Sequence, residues 1–202
     1  SVKLLFSSKN MLYAMWQYFC SNFTFFFCLT WLFPYIKSTY HLESVEAGLW
    51  ASIPLIFGAL GNWVSGWIVD KIFSTGKWDL SRKFPAMLGF SLAAIGMFIS
   101  VHMTEVVGAI TFLSLAIFGA DMTLSPSWSF CNDIGKTNSG AVSGTMNMAG
   151  NFGAFITALA FPYLKAWNGN DVSLFFYIGV VLNILAVFTW LAMKPQKSLT
   201  EY

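Results

Sequence analysis

Charged residues are scarce in this sequence: Asp, Glu, Lys and Arg make up 10% of its 202 residues, whereas an average soluble domain has roughly a quarter. Hydrophobic residues make up 56%, and the mean hydropathy is +0.63. A chain with so few charges cannot cover a surface that faces water. The composition therefore excludes an ordinary soluble domain and predicts an integral membrane protein built from α-helices.

Cysteine and histidine are also rare. The three cysteines, Cys20, Cys28 and Cys131, form neither a C-x-x-C pair nor another metal-ligand spacing. The two histidines, His41 and His102, fall near chain turns, and no Ser-His-Asp arrangement stands at membrane depth. We therefore expect packing roles for the cysteines, and we predict no enzyme activity, no metal, no cofactor and no nucleic acid partner.

Long apolar runs, by contrast, are abundant. Six of them are close to the roughly 20 residues that a spanning helix needs: 11–33, 47–69, 84–101, 106–130, 140–164 and 174–193. The links between them are short, so residues 1–202 are predicted to form one transmembrane domain. The first run is too long for a signal peptide, and because the sequence opens on Ser1 rather than Met, we expect a fragment or a trimmed chain.

Lys and Arg are distributed unevenly between alternate links. Two of the eleven, Lys37 and Lys165, stand in the first and fifth links. The other nine stand before the first run, in the second and fourth links, and after the last run. They are Lys3, Lys9, Lys71, Lys77, Arg82, Lys83, Lys136, Lys194 and Lys197. The positive-inside rule then predicts an inner (plasma) membrane protein whose two termini are both cytoplasmic.

Small and polar residues recur at helical spacing in two runs. They are Gly58, Gly61, Asn62, Ser65 and Gly66 in the second run, and Gly140, Gly144, Asn147 and Asn151 in the fifth. We expect the glycines to serve close helix packing. The amides of Asn147, Asn151 and Asn22, which lies near the middle of the first run, need partners in hydrocarbon. Those partners are a neighbouring helix, trapped water or a bound solute.

Three prolines stand inside the runs. Pro54, Pro126 and Pro162 are predicted to interrupt the second, fourth and fifth spans. A broken helix at membrane depth is tolerated only where its backbone meets protein or a water-filled cavity. Transporters use such breaks to build binding sites and to bend during gating.

The link after the second run carries a motif. Gly66, Asp70 and Lys71 form the pattern G-x-x-x-D-K, and Arg82 and Lys83 supply a basic pair before the third run. This resembles the cytoplasmic signature loop of the major facilitator superfamily, although the basic pair usually follows more closely there. The resemblance implies a gating loop in which Asp70 pairs with cations or with a helix N-terminus and holds one conformation.

Two longer segments resemble one branch of that superfamily, the anion:cation symporters. Residues 30–71 look like its seventh and eighth helices, and residues 125–155 resemble its tenth-to-eleventh helix segment. The branch includes carriers of hexuronate, galactonate and glucarate. The resemblance implies an all-α fold in which six transmembrane helices form the second half-bundle of a transporter. Its partners would be the missing first half, the lipid bilayer, a small organic anion and a coupling cation, with a proton as the expected ion.

The resemblance also implies where solute is held. In the branch, solute lies between the two halves, and the tenth and eleventh helices supply polar and aromatic contacts. Those contacts map onto Ser125, Trp128 and Asn147, and with Asn22 and Asn151 they form the predicted substrate-binding set. Ser125 and Trp128 share one helix face. For Trp128, a role as an anchor at the membrane interface is an alternative of equal weight to a contact with solute.

One carboxylate stands inside an apolar run. Asp121 lies about 24 Å along the fourth run at 1.5 Å per residue, past the midplane but still within hydrocarbon. It could face an aqueous cavity, remain protonated, or bond backbone groups that Pro126 leaves free. An acid at this depth is a candidate for proton coupling; the alternative is a structural or gating role.

These observations predict secondary active transport of a small organic anion, of the sugar-acid kind, by alternating access. The first alternative is a six-span scaffold or subunit without transport activity of its own. A membrane-embedded enzyme is the second, and the sequence offers no catalytic arrangement for it.

Overall fold

A computed structural model describes residues 2–199, with side chains from residue 5 onward. Within that range the chain consists of helices and turns, without strands. The predicted domain of 1–202 included Ser1 and residues 200–202, and the charge count included the side chain of Lys3. These lie outside the described part.

Nine α-helices follow one another along the described chain. They are α1 (Val2–Ser7), α2 (Lys9–Thr30), α3 (Leu32–Thr39), α4 (Ser44–Phe73), α5 (Trp78–Ser100), α6 (Val106–Met122), α7 (Leu124–Gly135), α8 (Ser139–Trp167) and α9 (Ser173–Ala192), with a 3-10 turn (Lys136–Asn138) before α8. Four helical stretches are long and apolar enough to cross a membrane, or five if the bent pair α2–α3 counts as one span. The chain is therefore a multi-pass membrane protein.

Helix α5 extends beyond the predicted third span. It starts at Trp78, before the predicted start of the span at residue 84, so Arg82 and Lys83 lie within its first turns. Hydropathy marks only the apolar part of a helix, and a polar extension of the same helix gives no hydropathy signal.

Two of the predicted proline interruptions are wrong. Pro54 lies inside the continuous helix α4, and Pro162 lies inside the continuous helix α8. A proline ring removes the hydrogen bond to the carbonyl four residues earlier. For Pro162 that carbonyl belongs to Ala158, and the indole Nε1 of Trp31 donates to it over 3.1 Å. A donor from a neighbouring helix thus replaces the lost bond, and the helix continues.

The helices do break at two other points. Helix α2 ends at Thr30, and beyond Trp31 the axis bends by 58° into α3. Helix α6 ends at Met122, and Thr123 separates it from α7. In both cases the following helix has a proline as its third residue, Pro34 in α3 and Pro126 in α7. The predicted interruption of the fourth span is therefore confirmed, and the break in the first span follows from a proline just beyond its predicted end.

Glycines let the helix backbones touch. Gly61 of α4 lies directly against the Phe118 carbonyl of α6, and Gly89 of α5 and Gly119 of α6 lie against each other's carbonyls. On the other side of the bundle, a methyl group added at Gly153 of α8 would lie 2.5 Å from the Phe19 carbonyl of α2. The packing role predicted for the glycines of the second run is thus confirmed at Gly61.

Apolar side chains fill the bundle in two clusters, one toward each end. One cluster is aromatic: the Phe27 ring lies 5.1 Å from Phe161, 5.3 Å from Phe175 and 5.3 Å from Phe176, centroid to centroid. It joins α2, α8 and α9. All three cysteines are buried and unbonded, as their predicted packing role requires: Cys20, Cys28 and Cys131.

Buried polar side chains follow one face of α2 within this apolar packing. The fully buried Gln17 accepts hydrogen bonds at Oε1 from the Ser127 hydroxyl (3.1 Å) and the Trp190 indole (3.2 Å). One turn later, Ser21 shares a hydrogen bond of 2.8 Å with Thr123. These contacts join α2 to α7 and α9 at membrane depth.

The α5–α6 contact gives a stability prediction. Gly119→Ala places a methyl group between packed backbones, and such overpacking costs about 1–3 kcal/mol. We expect the unfolding midpoint in detergent to fall by several degrees. Gly48→Ala is the matched control, because a methyl group there meets only Phe33 at 4.0 Å. Equal midpoints for the two variants would contradict the packing described here.

Candidate functional site

Asp121 is the carboxylate at membrane depth. It lies in the last turn of α6 with 8% of its surface exposed. A methyl group added at Gly58 of α4 would lie 2.5 Å from Asp121 Oδ2, so the glycine makes the space that this carboxyl group occupies. In the part of the chain with described side chains, no hydrogen-bond donor reaches the carboxyl group. It is thus a polar group held against a small residue at a helix–helix contact.

The backbone next to Asp121 is satisfied by a different side chain. Pro126 cannot donate to the Met122 carbonyl, and the Ser65 hydroxyl of α4 donates to that carbonyl instead. The predicted alternative, in which Asp121 bonds the group freed by Pro126, is not what the structure shows. Asp121 therefore keeps its oxygens available for water, a proton or a solute group.

An open cleft lies between α4 and α7, near Asp121. Its lining residues are Ala59, Asn62, Trp63, Gly66, Trp67, Asp70 and Ser125. Gly66 keeps the cleft wide, since a methyl group there would stand 3.6 Å from Ser125 Oγ. The cleft combines a hydroxyl, an amide and a carboxylate with two flat indole walls. It also brings Ser125, from the predicted substrate set, together with Gly66 and Asp70 from the predicted gating loop.

Trp128 and Asn22 both contact Tyr18, a residue that the sequence pattern did not single out. The Tyr18 ring stands edge-on to Trp128, with centroids 6.3 Å apart, and the Tyr18 carbonyl accepts a 3.0 Å hydrogen bond from Asn22 Nδ2. A methyl group at Gly150 of α8 would lie 2.5 Å from the same ring. Trp128 is 41% exposed. These residues form a second, aromatic group beside the cleft.

Asn147 and Asn151 lie on an uncovered face of α8. Both are exposed, and no hydrogen-bond partner for either amide lies within the described residues. A methyl group at Gly140 or Gly144, on the same stripe, would find no atom within 4 Å. Within the described chain these two glycines therefore do not serve the close packing predicted for them, and the polar stripe of α8 stays open.

The two basic residues of the predicted gating loop, Arg82 and Lys83, form ion pairs with two different acidic residues. Arg82, 8% exposed, binds Asp133 of α7 through Nε–Oδ2 (2.8 Å) and Nη2–Oδ1 (3.2 Å), and the Trp78 indole donates to the same carboxylate over 2.9 Å. Lys83 pairs with Asp79 at 2.9 Å within α5. The two-point contact of Arg82 is the stronger kind of ion pair, and it ties α5 to the end of α7.

The other predicted loop residues are arranged differently. Asp70 is exposed at the edge of the cleft, and no ion pair to it exists among the described side chains. The Lys71 ammonium lies 4.5 Å from the centre of the Trp67 ring. Asp70 and Arg82, which belong to one sequence motif, thus do not bind each other.

Sequence reading missed Tyr18 and Gln17. Tyr18 stands in an aromatic-rich run, where one more ring gives no signal. Gln17 could have been found, because Gln17, Ser21 and Thr24 stand at i, i+4 and i+7 in an apolar run and so share one helix face. This spacing is the usual mark of a buried polar contact between membrane helices.

Comparison with known proteins shows relatives that cover most of this chain. The "Probable galactarate/D-glucarate transporter GudP" of Escherichia coli (strain K12) is 28% identical over 194 residues, 95% of this chain and 42% of the relative. The "Probable sulfoacetate transporter SauU" of Cupriavidus necator is 29% identical over 172 residues, 84% of this chain and 40% of the relative. The "Ascorbate transporter, chloroplastic" of Arabidopsis thaliana is 28% identical over 192 residues, 93% of this chain and 35% of the relative.

The chain thus spans only about two fifths of the length of these curated relatives. The names of all three denote transporters, and none denotes an enzyme. The family profile described as "Major Facilitator Superfamily" matches residues 1–158, well over half of the chain. The apolar helices, the motif around Asp70 and this match agree, and the chain belongs to the major facilitator superfamily.

Proposed function

We propose that the protein transports a small organic anion of the sugar-acid class across a membrane. The names of the relatives support this class, since galactarate, glucarate, sulfoacetate and ascorbate are all small oxygen-rich anions. The observation that carries the proposal is the open cleft between α4 and α7, where Asn62 and Ser125 offer hydrogen bonds beside the walls of Trp63 and Trp67.

The described helices are taken to form one six-helix half of the transporter. The apolar stretch Val106–Trp167 has 62 residues; a straight helix of that length would be about 90 Å long, about three times the hydrocarbon thickness. It supplies two crossings, α6–α7 and α8, and α7 packs against α8. With α2–α3, α4, α5 and α9 this makes six. The matched share of the relatives supports a larger complete protein, in which we propose that the other six-helix half is the first half that the family resemblance implies.

The uncovered faces of α4 and α8 are proposed to meet that first half. Helix α4 is the least buried of the candidate spans, at 28% of its apolar window, and the Asn147–Asn151 stripe of α8 is open. Solute would lie between the halves, against Asn22, Ser125, Trp128, Asn147 and Asn151. Alternating access follows when the halves rock about that solute.

Asp121 is the proposed proton-coupling residue. Its carboxyl group is buried at membrane depth, and no donor or cation among the described side chains holds it in the charged form. A carboxyl group in this setting can take up a proton in one conformation and release it in another. A structural or gating role beside Gly58 is the alternative.

The Arg82–Asp133 pair is the proposed latch of the gating loop. It lies at the end of the bundle that carries Lys71 and Lys83, which the positive-inside rule assigns to the cytoplasm. Both termini of the chain would lie on that side of the inner (plasma) membrane. Asp70, exposed at the cleft edge, is free to meet a helix end or a cation of the first half.

The complete protein provides the test of function. Reconstituted in proteoliposomes, it should take up radiolabelled glucarate or a related sugar acid, and faster when a pH gradient is imposed. No uptake of any sugar acid, with intact folded protein in the membrane, would favour the alternative of a six-span scaffold or subunit without transport activity of its own.

Ser125→Ala tests the cleft. Losing one hydrogen bond costs about 0.5–1.5 kcal/mol, so we expect KM for the solute to rise by about threefold to tenfold, with little change in protein level. Ser52→Ala is the matched control, because Ser52 is exposed elsewhere on α4 and its hydroxyl bonds only Leu49 of its own helix. Equal KM values for the two variants would remove Ser125 from the binding site.

Asp121→Asn tests coupling. The amide has the shape of the acid but cannot carry a proton, so uptake driven by a pH gradient should be lost while exchange of solute across the membrane continues. Asp171→Asn is the control: hydrogen bonds from the Ser173 hydroxyl and backbone N–H lower the pKa of this exposed carboxyl group, which keeps it ionised. If pH-driven uptake persists in Asp121→Asn, the coupling proton is carried elsewhere.

Arg82→Lys tests the latch. Lysine keeps the charge but loses the two-point geometry, so we expect transport to fall several-fold while solute binding remains. Asp133→Asn should have the same effect. Lys77→Gln, at an exposed lysine that makes neither of the two ion pairs among the described side chains, serves as control and should transport nearly as the wild type does. Full transport by both Arg82→Lys and Asp133→Asn would show that the pair is not part of the gate.

A further inference from the structure

A basic cavity lies at the lysine-rich end of the bundle, away from the proposed transport site. It is formed where the start of α2 meets the chain that follows α9. Its lining residues are Ser7, Lys9, Asn10, Tyr13, Ala192, Lys194 and Lys197. Three of these seven side chains are cationic, and none is acidic. Neither ion pair in the described part of the chain involves them.

Asn10 builds this cavity. It is buried, with 1% of its surface exposed, and its Nδ2 donates to the backbone carbonyls of Lys194 (2.8 Å) and Lys197 (3.2 Å). Its Oδ1 accepts a 3.0 Å bond from the Lys194 backbone N–H. The chain after α9 is thus folded around one amide, which places Lys194 and Lys197 beside Lys9. Positive-inside charge alone would not require this arrangement.

We propose that this cavity binds a phosphate-bearing anion, which the membrane supplies as the headgroup of an anionic phospholipid. Lysine ammonium groups recognise phosphate as point charges, and basic pockets between membrane helices on the cytoplasmic side take anionic headgroups. The Tyr13 hydroxyl, which bonds no other group in the described chain, adds a neutral donor. The site goes beyond the proposed transport function, because it touches neither the cleft nor Asp121.

The surroundings favour a lipid over a free phosphate. Trp16 stands one turn along α2 from Tyr13, and Phe188 stands one turn along α9 from Ala192, so each lies below the cavity on the same helix face. The two side chains are 38% and 62% exposed. A headgroup held by the lysines would let its acyl chains run along these apolar side chains into the hydrocarbon. A free phosphate would use the lysines alone.

Retention of lipid by the complete protein tests the proposal. The protein is reconstituted in nanodiscs with equal amounts of phosphatidylglycerol and phosphatidylcholine, then released into detergent, and its bound lipids are measured by native mass spectrometry. The wild type should retain phosphatidylglycerol in preference. The triple variant Lys9→Gln, Lys194→Gln, Lys197→Gln should retain at least tenfold less.

A control triple, Lys71→Gln, Lys77→Gln, Lys136→Gln, removes the same charge from the same end of the bundle and should retain phosphatidylglycerol as the wild type does. The triple Lys9→Arg, Lys194→Arg, Lys197→Arg should also retain it, which excludes simple loss of fold. Equal retention by wild type and the Lys9 glutamine triple would overturn the proposal, as would retention of phosphatidylcholine equal to that of phosphatidylglycerol.

A second measurement separates the two sources of phosphate. Inorganic phosphate or glycerol phosphate at millimolar concentration should not displace retained phosphatidylglycerol from the wild type. Displacement by either soluble anion would overturn the assignment to a lipid. None of these measurements uses transport, so a negative result here leaves the proposed transport function standing, and failed uptake would leave the lipid site standing.

Discussion

Hydrocarbon offers no hydrogen-bond partner, so a polar group on a buried helix face of this protein is stabilised when it finds a partner inside the bundle. The arrangement of the helices follows from that constraint. Gln17 joins α2 to α7 and α9 because its amide can only be satisfied there. The carbonyls that Pro126 and Pro162 leave free are bonded by side chains of other helices, Ser65 and Trp31. Polar groups therefore specify which helices are neighbours, and apolar side chains fill the space between them.

The same constraint explains how much of the fold could be predicted from the sequence. Apolar runs are local, so the helical, multi-pass character of the chain was predictable from composition and length. Whether a proline breaks its helix is not evident from the residues around it: α4 and α8 run on through Pro54 and Pro162, whereas the chain breaks before Pro34 and Pro126. The donor that meets the carbonyl freed by Pro162 lies more than a hundred residues away in the chain. The Arg82–Asp133 pair was equally hidden, because the sequence motif directed attention to Asp70. Pairings between distant helices depend on packing that one sequence does not display.

The residues of the proposed site were likewise predictable from the sequence only in part. Ser125 and Asp121 were conspicuous as polar residues in an apolar run, and the structure places Ser125 in an open cleft and Asp121 against a glycine. Tyr18 was not conspicuous, although it connects Asn22 with Trp128. The face of α8 that carries Asn147 is polar in the sequence and exposed in the structure. Its partners could not be found within the described chain, since that face of α8 packs against nothing there.

The glycine contacts of α6 have a mechanical consequence. Where backbones touch, as at Gly61 and at the Gly89–Gly119 pair, one helix cannot slide past another without collision, and no acyl chain fits between them. Helices α4, α5 and α6 therefore behave as a single stiff block. The helices break at two places, before Pro34 and before Pro126, and sharp bends in helices are usually found at prolines. We expect bending at these two places to move the block of α4, α5 and α6 as one unit.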